Sequence, residues 1–185
     1  MSLNCCSRRG KELQDIIDTI KGLSNTLPDA KAVDEIMGIE GNIRQAYYAA
    51  FDIILDDFNM GSRTKQPPEN EVNALISFGN MMCYTETLRA VHQTQLNPTI
   101  SFLHTPGERR FSLCLDISEI FKPIIVDRVI FKVLNKHALS TSHFDKKLNK
   151  CLLNEKGKKI FVKAMEERYD ETFRHRSLGR NVSYK

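Results

Sequence analysis

The sequence lacks every long apolar segment that a membrane protein or a secreted precursor needs. No run of 18 apolar residues occurs in the 185 residues, whereas a helix that spans a bilayer needs about 20. The first residues, MSLNCCSRRGKE, also lack the apolar stretch of a secretory signal. We therefore expect a cytoplasmic protein.

The sequence also lacks the cysteine patterns typical of disulfide-rich proteins and zinc ribbons. The five cysteines are odd in number and none belongs to a CxxC pair, which argues against a disulfide framework and against a zinc ribbon. Reduced, partly buried thiols are the expected state of this set. Its members are Cys5, Cys6, Cys83, Cys114 and Cys151.

Convincing strand patterns are scarce, because alternation of apolar and polar residues is almost absent. Apolar residues instead recur at three- and four-residue steps, as in the run from Leu13 to Leu23, and this spacing predicts helices. We predict an all-α fold, with FSLCL (111–115) the one segment that could pair briefly as a strand. The last predicted helices lie near 144–153 and 156–174, and Pro123 should kink or restart the helix around it.

Charge is distributed unevenly along the chain. Residues 1–103 contain 9 Lys+Arg against 13 Asp+Glu, and residues 104–185 contain 18 against 10. A basic half often faces phosphate. The alternative, a solvated helix surface, is left open by charge alone.

Glu40 is the first candidate site residue, because it lies beside an apolar helical stripe in the segment GIEGN. A carboxylate there is costly to bury unless it is paired or binds a cation. Arg44, one turn later, could pair with it, and spacing alone favours that salt bridge. Gly38 and Gly41 on either side suggest that something approaches the backbone closely.

Asp116 and Glu119 form D-x-x-E, and His104 precedes them at the start of a Pro/Gly loop. The acidic pair has two readings: a capping box with Asp116 as N-cap, or two carboxylates one turn apart that converge on a metal. His104 by itself is most simply a surface or satisfied core histidine. Taken together with Glu40, these oxygen and imidazole groups suit Mn²⁺ or Mg²⁺.

Four segments in one order resemble the motifs of a known family, the CRISPR-associated spacer-integrating endonucleases (Cas-one). IMGIEGNIRQAYY resembles the block around the metal-binding glutamate, and RTKQPPENEVNALISFGNMM resembles the next block. LNPTISFLHTPGERRFSLCLDISEIFKP resembles the block with the metal-binding histidine and the acidic pair, and LLNEKGKKIF a later one. The resemblance runs from about Asp29 to Arg174.

The resemblance implies the helical catalytic domain of the CRISPR-associated integrase type, with the family's N-terminal β-domain absent. We expect a leading helix or interdomain segment over residues 1–28 and a helical metal-dependent catalytic domain over 29–185, truncated at its C-terminus. It also implies catalytic roles for Glu40, His104, Asp116 and Glu119. Glu40, His104 and Glu119 would hold Mg²⁺ or Mn²⁺, and Asp116 would support them. Glu119 stands where the family often has Asp, so the metal position could shift.

The family cuts DNA, joins DNA 3′-hydroxyls to phosphodiesters during spacer acquisition, forms homodimers and assembles with a Cas-two protein. By this resemblance we expect an endonuclease or integrase whose isolated fragment is weakly active or inactive. The alternatives from other classes are a non-catalytic helical nucleic-acid-binding module and a scaffold. The candidate phosphate contacts are Arg44, Arg109, Arg110, Lys122 and Arg128.

Overall fold

The computed structural model describes residues 3–103 and 111–184, with side chains from residue 10 onward. Contacts along the chain form two compact units, Met1–Arg63 and Thr64–Lys185. The functional division predicted between residues 28 and 29 stays a prediction. In the described residues, no helix is both long and apolar enough to cross a membrane.

The first unit is a pair of helices joined by a short turn. Helix α1 (Leu3–Asn25) leads through a 3-10 turn (Leu27–Asp29) into α2 (Val33–Ile54), and the two helices pack on each other. Pro28 lies in this turn, where its fixed φ is compatible with the first turn of a helical segment. Beyond α2 the chain turns back, and the carboxylate of Asp52 accepts a hydrogen bond from the N–H of Met60 at 2.6 Å.

The second unit is built around α3 (Glu71–His92). Asn70 caps this helix by accepting the N–H of Asn73 at 2.8 Å. Helix α4 (Ser112–Lys122) packs on α3 and continues through a π-helical segment (Pro123–Asp127) into α5 (Arg128–Asn135). The predicted interruption at Pro123 is confirmed, because α4 ends one residue before it and the helical hydrogen-bonding pattern changes there.

The remainder of the second unit alternates short strands with one helix. A 3-10 turn (Thr141–His143) precedes β1 (Phe144–Lys147) and β2 (Lys150–Leu153), then come α6 (Glu155–Asp170), β3 (Thr172–Arg174) and β4 (Asn181–Ser183). β1 pairs with β2 and β3 pairs with β4, both antiparallel. The backbone N–H of Cys151 donates to the carbonyl of Pro68 at 2.8 Å, which attaches the first hairpin to the loop before α3.

The all-α prediction is wrong in this respect, since the mainly helical chain contains two small antiparallel sheets. The helix predicted over 144–153 is the β1–β2 hairpin. Its apolar residues at 144, 148 and 151 have the four- and three-residue spacing of a helix, which hid the alternation of buried Cys151 and Leu153. Asn149 in the turn has a φ of 59°, a left-handed conformation that Asn tolerates and that stops a helix.

The strand considered for FSLCL is also wrong. Residues 112–115 form the first turn of α4, and Leu113 and Cys114 are buried against α3. The helix predicted over 156–174 is α6, which ends at Asp170, while residues 172–174 form β3.

Candidate metal and nucleic-acid site

Asp116 holds the segment that leads into His104. Its carboxylate Oδ2 accepts hydrogen bonds from the backbone N–H of Phe102 at 2.6 Å and of Leu103 at 3.1 Å. The capping-box interpretation is therefore wrong, because α4 begins at Ser112, four residues before Asp116. Bonds from backbone N–H groups to an ionised acceptor are stronger than neutral ones. The side chain thus fixes residues 102 and 103 to α4.

Two further hydrogen bonds tie the same loop to the start of α4. The hydroxyl of Ser112 donates to the carbonyl of Thr99 at 3.0 Å. The N–H of Leu113, otherwise an unpaired donor of the first helical turn, donates to the carbonyl of Pro98 at 3.0 Å. The backbone from 98 to 103 therefore follows the N-terminal half of α4, which directs the chain toward His104.

Glu119 lies one turn beyond Asp116, so the two carboxylates share a face of α4. Its side chain is 23% exposed, and its Oε1 lies 3.5 Å from Nζ of Lys122. Lys122 is itself mostly covered, at 20% exposure. A partly exposed carboxylate offers oxygen atoms of the kind that hard divalent cations bind.

Glu40 lies in the first half of α2, where it forms an ion pair with the guanidinium of Arg44. The salt bridge with Arg44, which the four-residue spacing favoured, is therefore present. Both side chains are 38% exposed, so water and ions still reach the carboxylate. Apart from the chain neighbours and the backbone of α2 itself, no heavy atom of this unit lies within 4 Å of a Cβ built on Gly38 or Gly41, so the helix surface beside Glu40 is open.

The predicted convergence of Glu40, His104 and Glu119 stays a prediction. His104 lies outside the described residues, and Glu40 and Glu119 belong to different units. Among the side chains that the structure describes, no three His, Cys, Asp or Glu residues are grouped closely enough to hold a metal ion. The chemistry of the donors does fit a hard divalent cation, because Glu40 and Glu119 offer solvent-accessible carboxylate oxygens.

The predicted phosphate contacts fall into three groups. Arg44 and Lys122 are paired with Glu40 and Glu119. Arg128 is exposed at the start of α5. Arg109 and Arg110 lie outside the described residues.

Sequence reasoning missed two features of the second unit. Asp127 is 4% exposed in the π-helical segment and lies near the thiol of Cys83. Burial raises the pKa of Cys83 to about 11, so this thiol stays protonated and unreactive at neutral pH. The second feature is a groove between α5 and α6 bordered by Lys132, Lys136 and Lys163. The helical spacing of the α6 lysines is a signal present in the sequence, whereas the position of Lys132 in α5 and of Lys136 directly after it, facing α6, is known only from the packing.

Comparison with known proteins identifies the family. The family model described as “CRISPR associated protein Cas1”, the Cas-one family named above, matches residues 2–167. The chain is 51% identical over 179 residues to “CRISPR-associated endonuclease Cas1 2” of Thermodesulfovibrio yellowstonii, covering 96% of this chain and 54% of that protein. It is 46% identical over 183 residues to “CRISPR-associated endonuclease Cas1” of Clostridium perfringens, covering 96% and 56%.

Solved structures agree with the sequence relatives. A CAS1 protein from Thermotoga maritima matches with a TM-score of 0.80 and 39% identity, covering 90% of this chain and 56% of that one. A casposase bound to integration product matches with a TM-score of 0.80 at 20% identity, covering 95% and 55%, and shows a shared fold alone. The chain spans about half the length of the relatives it matches. The match to the family model and the identity to these relatives establish that the chain belongs to the Cas1 family.

Proposed function

We propose that this chain carries the metal-dependent catalytic site of a Cas1 endonuclease and integrase that acts in CRISPR spacer acquisition. The observation that carries the proposal is the pair of hydrogen bonds from residues 102 and 103 to the carboxylate of Asp116. These bonds attach the chain just before His104 to α4. Glu119 lies on the same face of α4 as Asp116. Family membership adds the expectation that a glutamate at position 40 belongs to the same site.

Each side chain has a distinct role in this proposal. Glu40, His104 and Glu119 hold Mg²⁺ or Mn²⁺, with water completing the coordination. When bound, such an ion polarises a phosphodiester and activates a water or a DNA 3′-hydroxyl. Asp116 holds the His104 segment against α4, and Arg44 and Lys122 balance the two carboxylates. Arg109, Arg110 and Arg128 are proposed to contact phosphate.

The partners of the whole protein are also part of the proposal. We propose DNA as the substrate, a homodimer as the assembly and Cas2 as the partner. A Cas1-containing chain of similar fold belongs to a “Cas6-RT-Cas1--Cas2 complex”, and several relatives carry the name endonuclease. A cytoplasmic location remains the expectation from the sequence.

Glu119→Gln tests the proposed site. The substitution preserves length and hydrogen bonding but removes the charge that a hard cation requires. We expect weaker Mn²⁺ binding by calorimetric titration, loss of metal-dependent cleavage or joining of branched DNA, and a melting temperature close to that of the wild type. Metal binding requires no turnover, so this result can be obtained even from a weakly active chain.

Glu86→Gln is the matched control. Glu86 pairs with Arg89 three residues later at 3.4 Å, and its side chain is 28% exposed, so it matches Glu119 in spacing and exposure. We expect wild-type metal binding and activity from this variant. Wild-type metal binding and cleavage in Glu119→Gln would contradict the proposal.

A non-catalytic nucleic-acid-binding module is the second candidate function. The ion pairs of Glu40 with Arg44 and of Glu119 with Lys122 favour it, because both carboxylates already have a cationic partner. Metal-independent DNA binding that survives Glu40→Ala and Glu119→Gln, without any cleavage, would support this second function.

A further inference from the structure

The second unit has a basic groove that the proposed catalytic site does not use. The groove lies between α5 and α6 and has a volume of about 330 Å³. Lys132 and Lys136 border it on one side, and Lys163 and Glu167 border it on the other. The floor is aliphatic and includes Val133 and Ile160. The groove therefore combines a positively charged rim with an apolar base.

The rim carries more positive than negative charge. Among the lining residues, Glu167 is the one carboxylate, and its Oε2 lies 3.4 Å from Nζ of Lys132. No ion pair joins Lys136 or Lys163 to any carboxylate of the residues that the structure describes. Like charges around one concavity repel each other and attract anions. Two ammonium groups thus remain available for an anionic ligand.

The arrangement of the lysines favours an extended polyanion. Lys156 and Lys159 precede Lys163 by two turns and one turn on α6, and all three are exposed. A row of this kind spans roughly 10 Å along the helix, at about 1.5 Å per residue. A small anion would occupy one position, whereas a phosphate backbone can contact the whole row.

The floor favours a duplex over a single strand. Single-stranded nucleic acids are held by aromatic rings on which bases stack, and the lining residues of this groove include no aromatic side chain. Lysine ammonium groups contact phosphates as point charges, and phosphate contacts carry no sequence information directly. The expected ligand is therefore the sugar-phosphate backbone of double-stranded DNA, bound without sequence preference.

The groove is separated from Glu119, the proposed metal ligand, by a continuous helical segment formed by α4, the π-helical segment and α5. Lys132 follows Glu119 by 13 residues of continuous helical structure, which corresponds to a path on the order of 20 Å. We propose that this groove is a second DNA-binding site, which anchors the phosphate backbone of a duplex away from Glu119. It rests on the proposed function only in taking DNA as the ligand.

The test compares two double variants of equal charge. Lys136→Ala with Lys163→Ala removes the two unpaired groove lysines, and Lys147→Ala with Lys150→Ala removes two exposed lysines of the β1–β2 hairpin. Binding of a labelled random-sequence duplex is measured by fluorescence anisotropy in EDTA over a range of salt concentrations. Each phosphate contact contributes about 0.9 to the slope of log affinity against log salt.

We expect the groove variant to lower affinity at low salt by roughly tenfold and to reduce the salt slope by roughly 1 to 2. The hairpin variant should retain both quantities, and both proteins should melt like the wild type. Restoring the charge with Lys136→Arg and Lys163→Arg should restore binding. Equal losses in the two double variants would show a general charge effect and overturn the proposal.

An unchanged affinity and slope in the groove variant would also overturn it, and an acidic peptide as the true occupant would give this result. The test is independent of the catalytic proposal, because EDTA removes divalent metal ions. Failure of the groove and failure of the metal site are therefore observed in different experiments.

Discussion

Asp116 shows how a single carboxylate connects the fold to the candidate site. It makes two hydrogen bonds to backbone N–H groups that are 13 and 14 residues away in sequence. These bonds fix the chain immediately before His104 and place that segment on the helix that carries Glu119. We therefore propose Asp116 as a positioning residue and Glu119 as a ligand of the metal ion itself.

Asp116→Asn should fold but bind metal poorly. Asn retains an acceptor oxygen for the two N–H groups, so the loop stays attached, but the bonds lose the strength that the negative charge gives them. Changes to residues that orient metal ligands typically cost roughly 10–100-fold in affinity or activity. We expect a loss of that size in Mn²⁺ affinity, with a melting temperature close to that of the wild type.

Asp145→Asn is the control for this change, since Asp145 is exposed on β1. It should behave like the wild type in both measurements. Wild-type Mn²⁺ affinity in Asp116→Ala, which removes the acceptor altogether, would refute the positioning role.

At the scale of elements, α3 is the helix on which the second unit is assembled. It packs against α4, the π-helical segment and β2. Gly79 permits this packing, because a Cβ there would overlap Cγ1 of Val126 and lie 3.3 Å from Cζ of Phe161. The close approach requires a residue without Cβ, even though glycine weakens a helix.

Two glycine substitutions should have opposite effects on stability. Gly79→Ala forces Val126 and Phe161 apart and should lower the free energy of unfolding by roughly 1–3 kcal/mol. Gly41→Ala, on the open surface of α2, should raise it by up to about 1 kcal/mol through helix propensity. Urea unfolding of both variants measures the difference, and a stabilised Gly79→Ala would contradict the packing.

Gly41→Ala also tests the close approach inferred from the segment GIEGN. If DNA approaches the backbone beside Glu40, the added methyl group should weaken duplex binding while it stabilises the helix. Unchanged binding would leave Gly41 without a functional explanation.

Over the whole molecule, several titrating groups respond to alkaline pH in the same direction. Burial raises the pKa of Cys83 to about 11 and also raises the pKa values of Cys114 and Cys151. Burial likewise raises the pKa of Tyr169. A hydrogen bond to Glu71 raises the pKa of Lys146. In each case the folded state retains a proton that the unfolded chain releases first.

The protein should therefore lose stability above about pH 9. The ordinary thiol pKa is 9.0, so below this pH the thiols are protonated in both states and contribute no pH dependence. As the pH rises from 9 toward 11 the unfolded chain releases protons first, and the free energy of unfolding falls. Cys83 alone should account for a loss on the order of 2 kcal/mol.

Chemical denaturation at a series of pH values, with Cys83→Ala alongside, measures this effect. The variant should show a constant difference from the wild type at neutral pH and a shallower decline above pH 9. Parallel curves for the two proteins throughout the alkaline range would contradict the role given to Cys83.

The sequence by itself determined the features that depend on neighbours within one or two turns. Apolar spacing from Leu13 to Leu23 predicted a helix where α1 is observed, and Pro123 marked the end of α4. The four motif segments, in the family's order, identified the family, because segment order is a property of the sequence and does not depend on tertiary packing. The candidate residues followed from those segments, but their convergence stays a prediction.

Only the tertiary structure decided the features that depend on distant partners. The spacing of residues 144, 148 and 151 suits a helix, and it is the attachment of Cys151 to Pro68, together with Asn149 in the turn, that makes the segment a hairpin. The partners of Asp116 come from a loop 13 and 14 residues earlier. The groove lysines come from α6, from α5 and from Lys136 directly after α5, and these segments face each other only after folding. Local periodicity cannot predict such pairings, because the free energy that selects them comes from contacts between segments far apart in sequence.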